Sequence, residues 1–383
     1  SLLDKGGIFC YIVANKWLRA RYGKPLRDWL KTQCIEEITD FGDLPVFEGA
    51  TTYPCIIRVS NKKPHFKPWV TNVHNLDFHS LENYVEKFGD ESNQTKFEDN
   101  GWSLASIHTQ NLLGKLDQNA VSLEEYVNGK IFRGILTGLN KAFIIDEKEK
   151  NALISDDIKN QELIKPFVIG RDIKRYQPVA PKQFLIFIPK GWTNSRATKN
   201  RWDWFTSQYT AIADHLLPYE NKAKKRWDQG DYWWELRACS YYDEYDKPKI
   251  IFPDISLRGN FTFDENGGLY MVNTSYMIPV DDKYLLGLLN SKLFDFVYRN
   301  ISASYRGGYL RYIYQYIARL PIRKVDKNKS NDFSIHKNIL ALVQHMLQLH
   351  KRTTQTPFEQ EQLEREIAAT DAQIDRLVYD LYG

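Results

Sequence analysis

The chain has 383 residues, 43% hydrophobic and 26% charged, with a formal net charge of +4. That is enough to bury substantial cores in two or three domains, and no run of about 18 apolar residues is present that could cross a bilayer. The opening SLLDKGG has no signal-peptide pattern, and Cys10, Cys34, Cys55 and Cys239 stand far apart without CxxC spacing. This excludes a disulfide framework and a cysteine zinc site, and is the pattern of a cytoplasmic protein with reduced thiols.

In chain order, Gly7–Asn15 (GIFCYIVAN) reads as a buried strand. Lys16–Lys31 follows with helical spacing at Leu18, Leu26 and Leu30, interrupted by Pro25. Ile38–Phe47 leads into Tyr53–Val59, a second apolar strand. A strand–helix–strand unit this short buries too little to stand alone. Residues 76–101 lose the strand pattern and are expected to be a junction. Trp102–Glu125 predicts a helix with Leu112, Leu113 and Leu116 on one side. Strands are expected within Gly134–Ile145, Phe184–Pro189, Lys249–Ser256 and Leu269–Pro279, with a largely helical, tryptophan-rich Trp192–Gln229 between the second and third. Tyr284–Arg299 predicts one helix through Leu285, Leu288, Leu289, Leu293, Phe296 and Val297. In the tail, Ile335, Ile339, Leu342, Met346 and Leu349, then Leu363, Ile367, Thr370, Ile374, Leu377 and Leu381, recur at spacings of 4 and 3. Two such helices joined by a short loop predict an antiparallel helical hairpin over 326–383. The fold class expected is α+β, with a mixed-sheet domain over 102–325.

Charge is unevenly distributed. Leu76–Lys130 is net −6, Lys165–Gly230 net +8, Asn290–Lys324 net +6, and the tail from Thr356 net −5. A polyanion would find two basic stretches. Within them, Arg171, Asp172, Lys174 and Arg175 follow the apolar run Phe167–Ile169 and Gly170, with Tyr176 beside them. A second cluster holds Trp192, Arg196, Lys199 and Arg201, and a third holds Tyr305, Arg306 and Arg311 around Gly307–Gly308. Lys222, Lys224, Lys225 and Arg226 form the densest basic run, expected to hold phosphate. Asn140 and Lys141 sit in a glycine-flanked turn. Arginine can donate two hydrogen bonds to guanine, aspartate can accept from cytosine, and aromatics can contact base or sugar faces. The bland reading of each cluster is a solvated loop with internal ion pairs.

Five blocks occur in a fixed order: Arg133–Asp146 (RGILTGLNKAFIID), Lys165–Gln177 (KPFVIGRDIKRYQ), Lys247–Ser256 (KPKIIFPDIS), Leu285–Arg299 (LLGLLNSKLFDFVYR) and the terminal TDAQIDRLVYDLYG. From Trp102 onward the chain resembles the TaqI-type target-recognition domain of type IIG restriction–modification enzymes and related adenine-N6 DNA methyltransferases. Residues 1–75, with DFGDLPVFEGATTYPCI, resemble the closing strands of the class I methyltransferase sheet in that family. The resemblance implies sequence-specific binding of double-stranded DNA, on behalf of a parent that methylates adenine at N6. The glycine-rich S-adenosylmethionine motif and the (N/D)PP(Y/F) tetrapeptide are absent from this sequence. The resemblance therefore puts both the cofactor and methyl transfer in upstream domains of a parent polypeptide, and this chain alone is expected to be inactive and cofactor-free. A nuclease domain with Mg²⁺ is implied only if the parent also cleaves. Pro253–Asp254 suggests half of a nuclease site, but Glu265 is followed by Asn266 and Gly267 instead of the required lysine. The alternatives are a phage-defence methyltransferase without nuclease and a protein-interaction scaffold.

Overall fold

The computed structural model describes residues 3–50, 52–99, 101–196, 199–302, 304–326 and 330–383, without the side chains of Ser304, Tyr305 and Arg306. Its first body holds β1 (Ile8–Ala14), α1 (Lys24–Leu30), β2 (Cys34–Asp40), β3 (Pro54–Ser60), β4 (Trp69–Asn72), α2 (Leu81–Phe88) and β5 (Asp90–Glu91). The strands form one sheet ordered β1-β3-β2-β4-β5. β3 runs antiparallel to both neighbours, from Ile8↔Ser60 to Ala14↔Pro54 on the β1 side. β4 joins β2 in parallel. α2 and β5 belong to this body, and long-range polar contacts fix the segment that follows them. Buried Gln94 donates to the carbonyls of Leu30, Lys31 and Gln33, and buried Arg27 to those of Trp17, Ala20 and Asp99. Trp102 closes the same core with no exposed surface.

From residue 107 the chain runs α3 (Ile107–Leu116), β6 (Ala120–Ser122), α4 (Leu123–Tyr126), β7 (Phe132–Arg133), α5 (Asn140–Phe143), β8 (Ile144–Asp146), α6 (Glu147–Asp156), β9 (Ile164–Val168) and β10 (Gln183–Ile186). Three short helices follow: α7 (Arg201–Gln208), α8 (Thr210–Leu216) and α9 (Glu220–Ala223). Then come β11 (Lys249–Pro253), β12 (Ile255–Ser256), β13 (Thr262–Asp264), β14 (Tyr270–Met271) and β15 (Ser275–Ile278). The second body thus contains two four-stranded sheets, β14-β9-β10-β8 and β13-β11-β15-β7. β11 shows why its sequence is continuously apolar. Ile250 and Phe252 enter one hydrophobic core, and Ile251 between them enters the other. Period-two alternation with both faces buried demands that composition. Lys249 begins the strand fully buried, and donates to Asp264 Oδ2 at 2.5 Å.

The helix expected over Tyr284–Arg299 is two, α10 (Lys283–Asn290) and α11 (Lys292–Ile301). Between them Ser291 is extended, and its Oγ accepts from the Phe294 amide at 3.3 Å as the cap of α11. The break frees the Asn290 carbonyl, which Arg175 takes up. The chain closes with β16 (Ser304–Tyr305), β17 (Tyr309–Arg311), α12 (Tyr314–Ile317), β18 (Pro321–Arg323), α13 (Ser330–Leu349) and α14 (Pro357–Tyr382). α14 starts on a capping box of Thr356 and Glu359, with Pro357 in its first turn. Ile339, Met346, Ile374 and Leu381 face the core as their spacing predicts, whereas Val343 and Val378 take the fully buried places expected of Leu342 and Leu377. The pair also packs on α10, where a Cβ at Gly287 would lie 2.8 Å from Val343 Cγ2. Glycine at that crossing lets the helices approach. With its several small mixed sheets and packed helices, the fold is α+β.

Candidate nucleic-acid interface

The turn Val272–Thr274 links β14 in one sheet to β15 in the other, and the functional side chains collect around it. Gly134 makes this possible: a Cβ there would lie 2.0 Å from the Val272 carbonyl oxygen. Ile135 then bridges Val272, and the Asp254 amide donates to the Thr274 carbonyl at 3.0 Å. On one side of the turn is an open concavity lined by Asn140, Lys141, Arg171, Gln183, Val272 and Thr274, among others. On the other is a cavity of 340 Å³ lined by Arg133, Arg237, Cys239, Tyr241, Tyr242 and Asn273. The Arg133 Nε donates to the Asn273 carbonyl at 2.5 Å. Its own carbonyl accepts from the Tyr241 and Tyr245 hydroxyls, and Phe132 stacks on Tyr241 at 4.4 Å. Arg311, on β17, reaches Asp254 at 3.8 Å. Three segments far apart in sequence thus bring Arg133 and Lys141, Arg171, and Arg311 to the surroundings of one turn.

Among the described residues, Arg133, Lys141, Arg171, Lys174, Lys199, Lys222 and Lys225 have no carboxylate within ion-pair distance. Lys224 is held by Glu220 at 2.7 Å and Arg237 by Asp228 at 3.1 Å. Unpaired exposed cations keep their full field for an incoming polyanion. Burial pushes the Tyr241 hydroxyl up to about 12, and its proton is held by the Arg133 carbonyl in the cavity wall. Asp172 is half-buried beside exposed Arg171. Asn140 does not sit in an open turn: it starts α5, and its Oδ1 accepts from Thr137 Oγ1 at 2.6 Å.

Two expected DNA contacts, Arg175 of the first cluster and Arg226 of the phosphate-holding run, face inward instead. Arg175 forms a two-pronged ion pair with Asp371 of α14 and donates twice more to the Asn290 carbonyl. Arg226 is 7% exposed, donates to the carbonyls of Thr137, Trp233 and Glu235, and lies 4.4 Å over the Phe143 ring. Desolvation lowers its pKa to about 10. The sequence showed two cations; the acceptors that consume them lie up to 196 residues away. In the second cluster Trp192 and Arg196 are also locally satisfied, while Lys199 stays exposed. Arg196 stacks over Trp192 at 4.4 Å and pairs with Glu162 at 2.7 Å, while Trp192 packs with Trp204 and Tyr209, and Arg201 is half-buried. The Tyr305 and Arg306 side chains lie outside the described residues. At the neighbouring Gly307–Gly308 turn, both at positive φ, the two amides donate to Asp43 of the first body. Arg133, Arg237, Tyr241 and Asn273 escaped the sequence reading. Arg133 opens a quoted block, but its chain neighbours are apolar or glycine and gave no cluster to notice.

The four cysteines are free thiols. Cys34, Glu36 and His65 bring ligand atoms within 4.8 Å of one another. Glu36 already accepts from Ser60 Oγ at 2.6 Å, which with His65 and Lys62 holds its carboxyl below the usual range. The Lys67 amide donates to His65 Nδ1, which leaves the proton on Nε2, the nitrogen facing Glu36. That tautomer makes a hydrogen-bonded cluster and not a ligand set.

Residues 165–322 match the TaqI-like C-terminal specificity domain, and residues 1–47 match the Eco57I restriction-modification methylase. The chain is 25% identical over 348 residues to the type II methyltransferase M.PaeR7I of Pseudomonas aeruginosa, spanning 84% of this chain and 56% of the relative. It is 23% identical over 379 residues to the type II methyltransferase M.BanIII of Aneurinibacillus aneurinilyticus, spanning 86% and 63%. It therefore spans little more than half the length of these relatives. The type IIL restriction-modification enzyme MmeI, solved in complex with DNA, shares the fold at a TM-score of 0.63 and 13% identity, over 98% of this chain and 47% of that one. Residues 165–322 thus carry a TaqI-like C-terminal specificity domain, in a chain that is similar over most of its length to type II methyltransferases.

Proposed function

We propose that this chain reads a specific duplex DNA site for a methyltransferase that modifies adenine at N6. One observation carries the reading: unpaired cations from distant segments converge on the Val272–Thr274 turn of a TaqI-like specificity domain. Lys141, Lys222 and Lys225 neutralise backbone phosphate, which fixes register but carries no sequence information. Arg171 and Arg133 present guanidinium forks that can pair with a guanine edge in the major groove. The site thus holds the duplex while the catalytic part of the enzyme extrudes an adenine. S-adenosylmethionine would supply the methyl group. Among the described residues no strand runs through a glycine-rich turn into a helix to cradle it, so this chain does not fit that site. We read the whole enzyme as a restriction–modification methyltransferase, which the type II methyltransferase relatives and the Eco57I match support. The reading places the protein in the cytoplasm with the DNA it modifies; among the described residues no helix is long and apolar enough to cross a membrane.

The test is selection from a randomised duplex pool with sequencing of the bound fraction, followed by affinity measurements against salt. Enrichment of one short motif is expected. Lys141→Ala should weaken binding to all duplexes and reduce the salt slope by about one unit. Arg171→Ala should cost roughly 1–3 kcal/mol and relax one motif position. Equal retention of all duplexes at physiological salt would refute the reading.

A further inference from the structure

Trp227 is 98% exposed, whereas the other nine tryptophans range from fully buried Trp102 to Trp29 at 57%. Tryptophan carries one of the largest apolar surfaces of any side chain, and this one leaves it almost wholly in water. Its neighbours are pinned. Arg226 is clamped by three carbonyls and the Phe143 ring, and Asp228 is paired with Arg237 of the 340 Å³ cavity. The loop also rests on Gly138, where a Cβ would lie 3.2 Å from Asp228 Cβ and 3.3 Å from Arg226 Cδ. The indole is therefore presented outward from a fixed base. Lys222 and Lys225, which precede it closely in the chain, stand exposed with no ion-pair partner among the described residues.

An apolar ring flanked by free cations, on a loop tied to the cationic cavity, suits a polyanion with flat aromatic faces. From this we infer that Trp227 stacks against a nucleobase of the bound duplex at a step that the protein opens, with Lys222 and Lys225 holding the flanking phosphates. The inference rests on the DNA-recognition reading. Base faces inside a duplex are covered by their neighbours, so stacking requires local unstacking, as side chains that wedge between base steps produce. Because an indole displaces no counterion, Trp227 should add affinity without adding to the salt dependence.

The test uses the full chain labelled with 5-fluorotryptophan and a duplex enriched by the selection above. The fluorine resonance missing from Trp227→Phe identifies the residue. Adding duplex should shift that resonance, and Trp227→Ala should weaken binding roughly tenfold with an unchanged salt slope, while Trp227→Phe retains part of the affinity. Lys225→Ala should instead lower the slope. If the duplex binds while the resonance stays put and Trp227→Ala binds as tightly as the parent, the stacking role is overturned and DNA recognition stands. If no duplex is enriched or bound, both fall together.

Discussion

Along the seam between the second body and the hairpin α13–α14, cations meet anions. Arg175 is held by Asp371, Lys292 approaches Asp375 at 3.2 Å, Lys351 lies 3.1 Å from Glu265, and Arg323 lies 3.2 Å from Asp332. Around the Val272–Thr274 turn and the 222–227 loop, Arg133, Lys141, Arg171, Lys222 and Lys225 have no such partner among the described residues. The two regions have similar basic sequences and opposite electrostatic fates. What separates them is the hairpin: Asp332 of α13 and Asp371 and Asp375 of α14 fold back on Arg323, Arg175 and Lys292, and leave the other set without a carboxylate. The same contrast recurs between adjacent residues, since Arg226 is clamped inside and Lys225 points out.

The adjacent pair gives the largest effect. Arg226→Ala strands three buried carbonyls and removes the ring contact, and should destabilise the protein by about 3 kcal/mol. Lys225→Ala should stay within about 0.5 kcal/mol of the parent. Urea unfolding measures both. Duplex affinity at two salt concentrations should show the reverse order, with Lys225→Ala the more salt-altered once Arg226→Ala is assayed well below its unfolding midpoint. Equal stability losses would dissolve the distinction between clamp and contact.

The seam should respond next. Arg175→Ala leaves Asp371 facing a half-buried pocket without its partner, and a loss of roughly 2 kcal/mol is expected after allowing for partial solvent access. Asp371→Ala should cost a similar amount, and the double variant much less than the sum of the two. Additive losses would show that the pair contributes no coupling. In neither case should the enriched DNA motif change, because neither residue reaches the recognition face.

This contrast also marks how far the sequence could be read. The apolar β11, the hairpin and the α+β class were legible because period and composition are local properties. The grouping of Asn140, Lys141 and Arg171 was half legible: each was picked out, but only the turn at Val272–Thr274 shows that they share one concavity. Arg175 and Arg226 could not be sorted from Arg171, because burial depends on Asp371, Asn290 and Thr137, which no local window contains. Ser291 looked like a mid-helix residue until its capping bond to Phe294 revealed a break. Arg133 went unnoticed because its significance lies in Asn273 and Tyr241, brought to it by sheet pairing.

The smallest effect separates the first body from the second by titration. Burial pushes the Cys55 thiol up to about 12, and the Tyr209 and Tyr241 hydroxyls, likewise mainly through desolvation, up to about 12. A free thiol ionises near 8.5 and a free phenol near 10. For each group the folded pKa exceeds the unfolded one, so the folded state holds the extra proton. Stability is therefore complete below the unfolded pKa and is lost as pH rises toward the folded value. The thiol acts first. Between about pH 8.5 and 10, Cys55 alone should lower the stability of the first body by about 1–2 kcal/mol. In the second body the Cys239 thiol, also pushed up by burial, acts in the same window, and the tyrosines contribute only above pH 10. Urea unfolding at pH 7, 8.5 and 10, followed by a probe in each body, measures this. Cys55→Ala should flatten the decline of the first body below pH 10 and leave the second unchanged. An identical decline in that variant would mean the alkaline sensitivity originates elsewhere.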